Sequence, residues 1–80
     1  MPGNYVFAKQ QANGTFTAIY IGETEDLGTR LADHERRPCA IKNGATHILV
    51  RANNGGEQAR LREEAELIAH CKPVCNVQGK

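Results

Sequence analysis

The sequence predicts an α+β fold: a three-stranded antiparallel sheet in β-β-α-β-α order, flanked by helices. Three observations carry that reading. Two runs of strand-forming residues flank Asn13-Gly14, the strongest short hairpin signal. A third strand-like run, Thr46–Arg51, lies between two segments of helical periodicity, which favours a sheet with helices packed on it. The chain has 80 residues, so residues 1–80 read as one domain with a thin core. That size excludes a Rossmann unit or an α/β barrel.

The hairpin comes first. Tyr5-Val6-Phe7-Ala8 pairs with Thr15–Ile21 across the Asn13-Gly14 turn. A two-residue turn sets Ala12 opposite Thr15, Phe7 opposite Tyr20 and Tyr5 opposite Gly22. Strand alternation then places Tyr5, Phe7, Tyr20 and Gly22 on one face, and Val6, Ala8, Ile19 and Ile21 on the other, which is the expected core. A helix follows from about Asp26 to Arg36, capped by Thr24 or Asp26 and ended by Pro38. Its inner stripe is Leu27, Leu31 and His34, with Arg30 at the edge. Cys39–Ala45 reads as a loop, Thr46–Arg51 as the third strand, and Asn53-Asn54-Gly55-Gly56 as its break. The last helix runs from about Glu57 to Cys71, is buried through Leu61, Ala65 and Ile68, and stops at Pro73.

Composition narrows the function. The net charge of +1 gives no global attraction to nucleic acid or membrane, so any anion must be held by a local patch. Apolar stretches such as Ala18–Ile21 and Ile48–Val50 are far too short to span a bilayer, and no membrane partner is expected. Met1–Asn4 carries neither a basic patch nor an apolar core, so no secretory signal is expected. Three cysteines, an odd number, do not suggest a disulfide framework. Free thiols in a cytoplasmic protein are the expectation.

Ionisable groups interrupt both helical stripes. Glu64 lies one turn after Leu61 and one turn before Leu67 and Ile68, while Glu63 and Glu66 point to solvent. A carboxylate facing inward is costly unless something pairs with it or coordinates it. The structural explanation is an ion pair with Arg60, four residues earlier. Arg30 and His34 pose the same question on the first helix, and two tyrosines share one sheet face.

These residues together resemble the GIY-YIG nuclease family. Gly3-Asn4-Tyr5 and Tyr20-Ile21-Gly22 are similar to its paired signature, and the resemblance runs from Gly3 to about Val77. Arg30 follows Gly22 by the family's eight residues, His34 stands one turn later, and Glu64-Ala65-Glu66-Leu67-Ile68, Pro73 and Asn76 match its closing helix and tail. Two departures stand out. Asn4 replaces the usual isoleucine, and Glu23 stands where several members carry a basic or small residue.

The resemblance implies an endonuclease that hydrolyses phosphodiester bonds in DNA with one divalent ion, Mg²⁺ or Mn²⁺. That ion would be held by Glu64 and several waters, which suits a hard, hydrated cation. Arg30 would hold the scissile phosphate. Tyr5 would be the general base, Tyr20 would orient water or phosphate, and His34 would relay a proton or touch phosphate. Gly22, Arg36, Arg37 and Asn76 would line or support the DNA site. Arg36 and Arg37, with Lys42 and Arg51, form the expected basic rim. The DNA is expected to be read with little sequence preference, whether branched, nicked or plain duplex, and a protein partner would supply targeting in repair or recombination. Tyr5, Tyr20, Gly22, Arg30 and Glu64 are expected to share an open cleft. Two other readings stand beside this one. The fold could serve as a non-catalytic nucleic-acid-binding or protein-interaction module. Cys39, Cys71 and Cys75, with His34, His47 or His70, could form a zinc site.

Overall fold

The structure, a computed structural model, describes residues 1–32 and 34–76; Asp33 and Val77, which the sequence reading included, lie outside the described residues. The chain forms β1 (Gly3–Gln10), β2 (Phe16–Thr24), α1 (Leu27–Ala32), α2 (Arg37–Lys42), β3 (His47–Ala52), α3 (Glu57–Cys71) and a short 3₁₀ helix, Val74–Asn76. The sheet is antiparallel in the order β2-β1-β3, so β1 is its centre. The α+β class therefore holds, but the expected element order lacks α2.

Phe7 faces Tyr20 and Tyr5 faces Gly22, as the turn signal predicted, but the route differs. Gln11 and Thr15 close a longer loop, with the Gln11 N–H donating to the Thr15 carbonyl and Gly14 at φ 90°. A left-handed residue is what such a loop demands, and glycine adopts it without strain. Near the loop Gln10 pairs with Phe16, one residue off the predicted register. A bulge at Ile19, between the Phe7–Tyr20 and Ala8–Ala18 pairs, restores it. Ile19 thereby leaves the face assigned to it and joins Tyr5, Phe7, Leu27, Ala40 and Cys75 in the core.

Both faces of β1 and of the adjoining part of β2 are covered, whereas all six residues of β3 are exposed. The core cluster fills the face beneath α1 and α2, where Tyr5 and Phe7 are 1% and 2% exposed. The aromatic face is therefore buried, not an open wall. On the other face α3 packs chiefly over β2, held by the Asn4 side-chain amide donating to the Arg60 carbonyl at 3.0 Å. The aspect α3 turns inward differs from the predicted one by about one residue. Arg60 is buried and Glu63, Glu64, Leu67 and Ile68 are half-buried, whereas Leu61 and Ala65 are exposed. The helix is rotated because its polar residues find partners on the sheet: Glu63 accepts from Asn53 and pairs with Arg51 rather than facing solvent.

The predicted first helix is two helices. α1 ends at Ala32, and Pro38 opens α2 instead of ending a helix, since proline's missing N–H is harmless in a first turn. α2 ends at Asn43, and Gly44 follows at φ 85°. This extra helix corrects the thiol reading as well. It turns Cys39 toward the 3₁₀ helix, where Cys39 and Cys75 form a disulfide; Cys71 is free and exposed. The crosslink also removes two of the three thiols that a zinc site would require. Among the described residues, no helix is long and apolar enough to cross a membrane.

The disulfide closes 36 residues of sequence. In chain-entropy terms its reduction should cost about 4 kcal/mol, measured as a lower Tm in dithiothreitol. Alkylation of the native, unreduced protein should modify Cys71 alone; labelling of all three thiols would show that the bridge is not there.

Candidate active site

Tyr5 sits at the middle of the sheet because β1 is central and because Gly22, opposite it, has no side chain. A Cβ on Gly22 would collide with the hydroxyl end of the Tyr5 ring. The ring packs against Phe7, Tyr20 and His34 at centroid separations of 5.9, 6.2 and 5.3 Å. The role the fold gives Gly22 is thus to make room for Tyr5. Tyr20 is only half-buried, at the margin of this cluster.

His34 follows α1 and is 4% exposed. Its Nε2 lies 2.5 Å from the Tyr5 hydroxyl, and its Nδ1 accepts the Arg36 backbone N–H at 2.9 Å. Because Nδ1 is an acceptor, the neutral ring carries its proton on Nε2 and donates to Tyr5. Burial, reinforced by Arg30, Arg36 and Arg37 and opposed by Glu35, lowers its pKa to about 4. The ring is therefore neutral at pH 7. Burial also pushes the Tyr5 phenol up to about 12. Arg30, close to the hydroxyl, opposes that rise, while the charges of Tyr20 and Glu64 add to it. The guanidinium of Arg30 is itself stabilised in its charged form, first by Tyr5.

Glu64 reaches this group from the opposite layer. Its expected partner is engaged elsewhere: the Arg60 Nε donates to the Glu23 carboxylate at 2.9 Å. Among the described residues no hydrogen bond or ion pair holds Glu64. Burial, then the negative charge of Glu23, raises its carboxyl above the usual range. A half-buried carboxylate with unused oxygens fits a hard divalent cation that keeps most of its water. No cluster of three or more His, Cys, Asp or Glu side chains converges among the described residues, and a largely hydrated ion held by one carboxylate requires none.

The remaining predicted residues are placed less directly. Asn76 does not face Tyr5. Its side chain accepts the Ile21 N–H at 2.7 Å and donates to the Ile21 carbonyl at 2.8 Å, fixing β2 between Tyr20 and Gly22. Arg36 serves the group through its backbone N–H. Arg37 is exposed, and its guanidinium donates to the Leu31 carbonyl. Arg30 lies against the Tyr5 hydroxyl and also pairs loosely with exposed Glu35 at 4.0 Å.

Sequence reasoning overlooked what Asn4 and Arg60 contribute. Asn4 is 2% exposed; it donates to the Arg60 carbonyl and accepts from Asn53 at 3.1 Å. The signal was the amide itself, a polar residue beside the strand-forming run Tyr5–Ala8. No model of a known protein family matches the chain, and no curated protein matches it.

Two outcomes test this geometry. Gly22→Ala should displace the Tyr5 ring and cost about 1–3 kcal/mol, with a changed tyrosine signal in near-UV circular dichroism. His34 should make the fold acid-sensitive. Its folded pKa, about 4, lies below the ordinary 6.5, so between those values the unfolded chain binds a proton that the folded chain does not. Its contribution is complete above pH 6.5, and on the order of 3 kcal/mol is lost by pH 4. Urea unfolding across that range should show this loss in the wild type and not in His34→Gln, compared as a difference so that the carboxylates cancel.

Proposed function

We propose that this protein is a divalent-metal-dependent endonuclease of the GIY-YIG type, cutting phosphodiester bonds in DNA with little intrinsic sequence preference. The observation that carries the reading is that Arg30 and His34 meet the Tyr5 hydroxyl beside Gly22, with a half-buried Glu64 left unpaired among the described residues on the facing helix. A purely structural carboxylate on α3 would be expected to take Arg60, four residues away.

In this reading Arg30 binds the scissile phosphate beside the Tyr5 hydroxyl, its ion pair with Glu35 being loose. Glu64 would hold the Mg²⁺ or Mn²⁺ ion, whose charge would offset that of the phosphate. Tyr5, uncovered by substrate binding and with its own proton passed to solvent, would take the proton of the attacking water. A phenol near 12 is a poor base at neutral pH while it keeps its proton, so its ionised form must be favoured when substrate is bound. Two features push that way: the Arg30 charge and the His34 Nε2–H donated to the oxygen. His34 then orients and stabilises Tyr5 rather than relaying a proton, because both its nitrogens are occupied. Tyr20 and Gly22 border the position of the reacting phosphate, Asn76 fixes that part of β2, and Arg36 and Arg37 supply positive potential beside it.

The deep burial of Tyr5 supports a second reading, a non-catalytic nucleic-acid-binding or interaction module in which Tyr5 and His34 are core. A targeting partner is part of the proposal under either reading; a cytoplasmic setting was drawn from free thiols, and the Cys39–Cys75 disulfide removes that ground. Incubation with branched, nicked and plain duplex DNA in Mn²⁺ separates the two. The nuclease reading expects cleavage by the wild type, and a fall of about 10²-fold or more in Glu64→Gln. That variant should keep its fold and melt no lower, since it removes an unpaired charge. Equal cleavage by both proteins would overturn the Glu64 assignment, and no cleavage of any DNA by the wild type would favour the module.

A further inference from the structure

We propose that the buried Arg60–Glu23 ion pair sets the cation affinity of Glu64: Glu23 is a second carboxylate beside the same site, and Arg60 is the positioning residue that neutralises it. The inference rests on the reading of Glu64 as the metal ligand and adds residues which that reading does not use.

Four observations carry it. Arg60 is the one buried residue of α3, with its side chain 8% exposed and that of Glu23 19% exposed. An Arg–Glu pair buried to that degree gains little over apolar packing, so stability alone is a weak reason to keep it there. Arg60 stands one helical turn before Glu64 and yet turns away from it, toward Glu23 on β2. Glu23 directly follows Gly22, which makes room for the Tyr5 ring, and its contact with Arg60 sets it against the turn of α3 that leads to Glu64. The geometry is also fixed from the sheet. Asn4 is the cross-strand partner of Glu23, and its amide holds the Arg60 carbonyl, so the turn of α3 carrying Arg60 is pinned above Glu23.

The consequence is a balance of charges. With the pair intact, the site offers the single net charge of Glu64. Without Arg60, two carboxylates face a cation there; without Glu23, an uncompensated guanidinium opposes it. In a partly desolvated site one unit charge at this range changes affinity about tenfold. Charge mattering in opposite directions at the two positions is what a merely structural pair would not produce.

The test is Mn²⁺ binding to the full chain, read from the free-ion signal in electron paramagnetic resonance, with folding checked by circular dichroism. Arg60→Gln should bind Mn²⁺ about tenfold more tightly than the wild type and Glu23→Gln about tenfold more weakly. The double variant and Arg60→Lys should fall within about twofold of the wild type. If Arg60→Gln does not fold, weakening in Glu23→Gln and its rescue in the double variant decide the matter alone. Unchanged affinity in the folded variants, with binding still abolished by Glu64→Gln, would overturn the inference and leave the metal reading standing. Absence of Mn²⁺ binding in the wild type, or binding that survives Glu64→Gln, would remove the metal reading and this inference with it.

Discussion

The structure depends on how one hydroxyl is kept inside the sheet. Tyr5 belongs to the central strand, so its ring has nowhere to go but the core, and its oxygen must find a partner there. His34 supplies that partner, and the Arg36 N–H decides which way the imidazole donates. Gly22 makes the space. Each of these needs the others. Without the glycine the ring is displaced; without the Arg36 N–H the imidazole tautomer is not fixed; without the imidazole a buried phenol is left unpaired. The residues that pack the core and those that form the candidate site are in this sense one set.

A closed circuit of contacts holds that set in place. From Gly22 the chain leads back to Ile21, whose N–H and carbonyl are both engaged by Asn76. Cys75, beside Asn76, is bonded to Cys39 on α2. The residue before α2, Arg36, holds His34, and His34 returns the circuit to Tyr5 and Gly22. Three segments distant in sequence are thus fixed to one another by one covalent bond and a few hydrogen bonds. A chain of 80 residues cannot rely on a large core for such rigidity. A crosslink spanning 36 residues is an economical substitute.

How much of this could be read from the sequence varied with the physics involved. The strands and α3 were legible because alternation, the Asn13-Gly14 turn and Pro73 are local signals, and α3 ends at Cys71 as read. The pairing of Tyr5 with Gly22 was also legible, although through two offsets that cancel, a longer loop and the bulge at Ile19. Pro38 was ambiguous, because proline both ends helices and begins them; with α2 missed, nothing could bring Cys39 to Cys75. The inward aspect of α3 was misjudged because periodicity counts apolar residues, and this helix buries an arginine. The freedom of Glu64 was invisible for the same reason. Its nearest partner in sequence is Arg60, and only tertiary structure shows that Arg60 is taken by Glu23.

The charges around Tyr5 are sorted rather than mixed. Arg30, Arg36 and Arg37 lie on the α1–α2 side and add to burial in keeping His34 neutral. Glu23 and Glu64 lie at the α3–β2 interface, where burial and then Glu23 raise the carboxyl of Glu64. Tyr5, raised chiefly by burial, is where the two halves meet: Arg30 lowers it and Glu64 adds slightly to the rise. A neutral imidazole is what this division requires. A protonated His34 would add a fourth cation to a crowded positive side, while the neutral ring still donates its one N–H to the phenol oxygen. Under the nuclease reading, the same division orients substrate and ion without further parts. A phosphate would be drawn to the arginines and a cation to the carboxylates, on opposite sides of Tyr5.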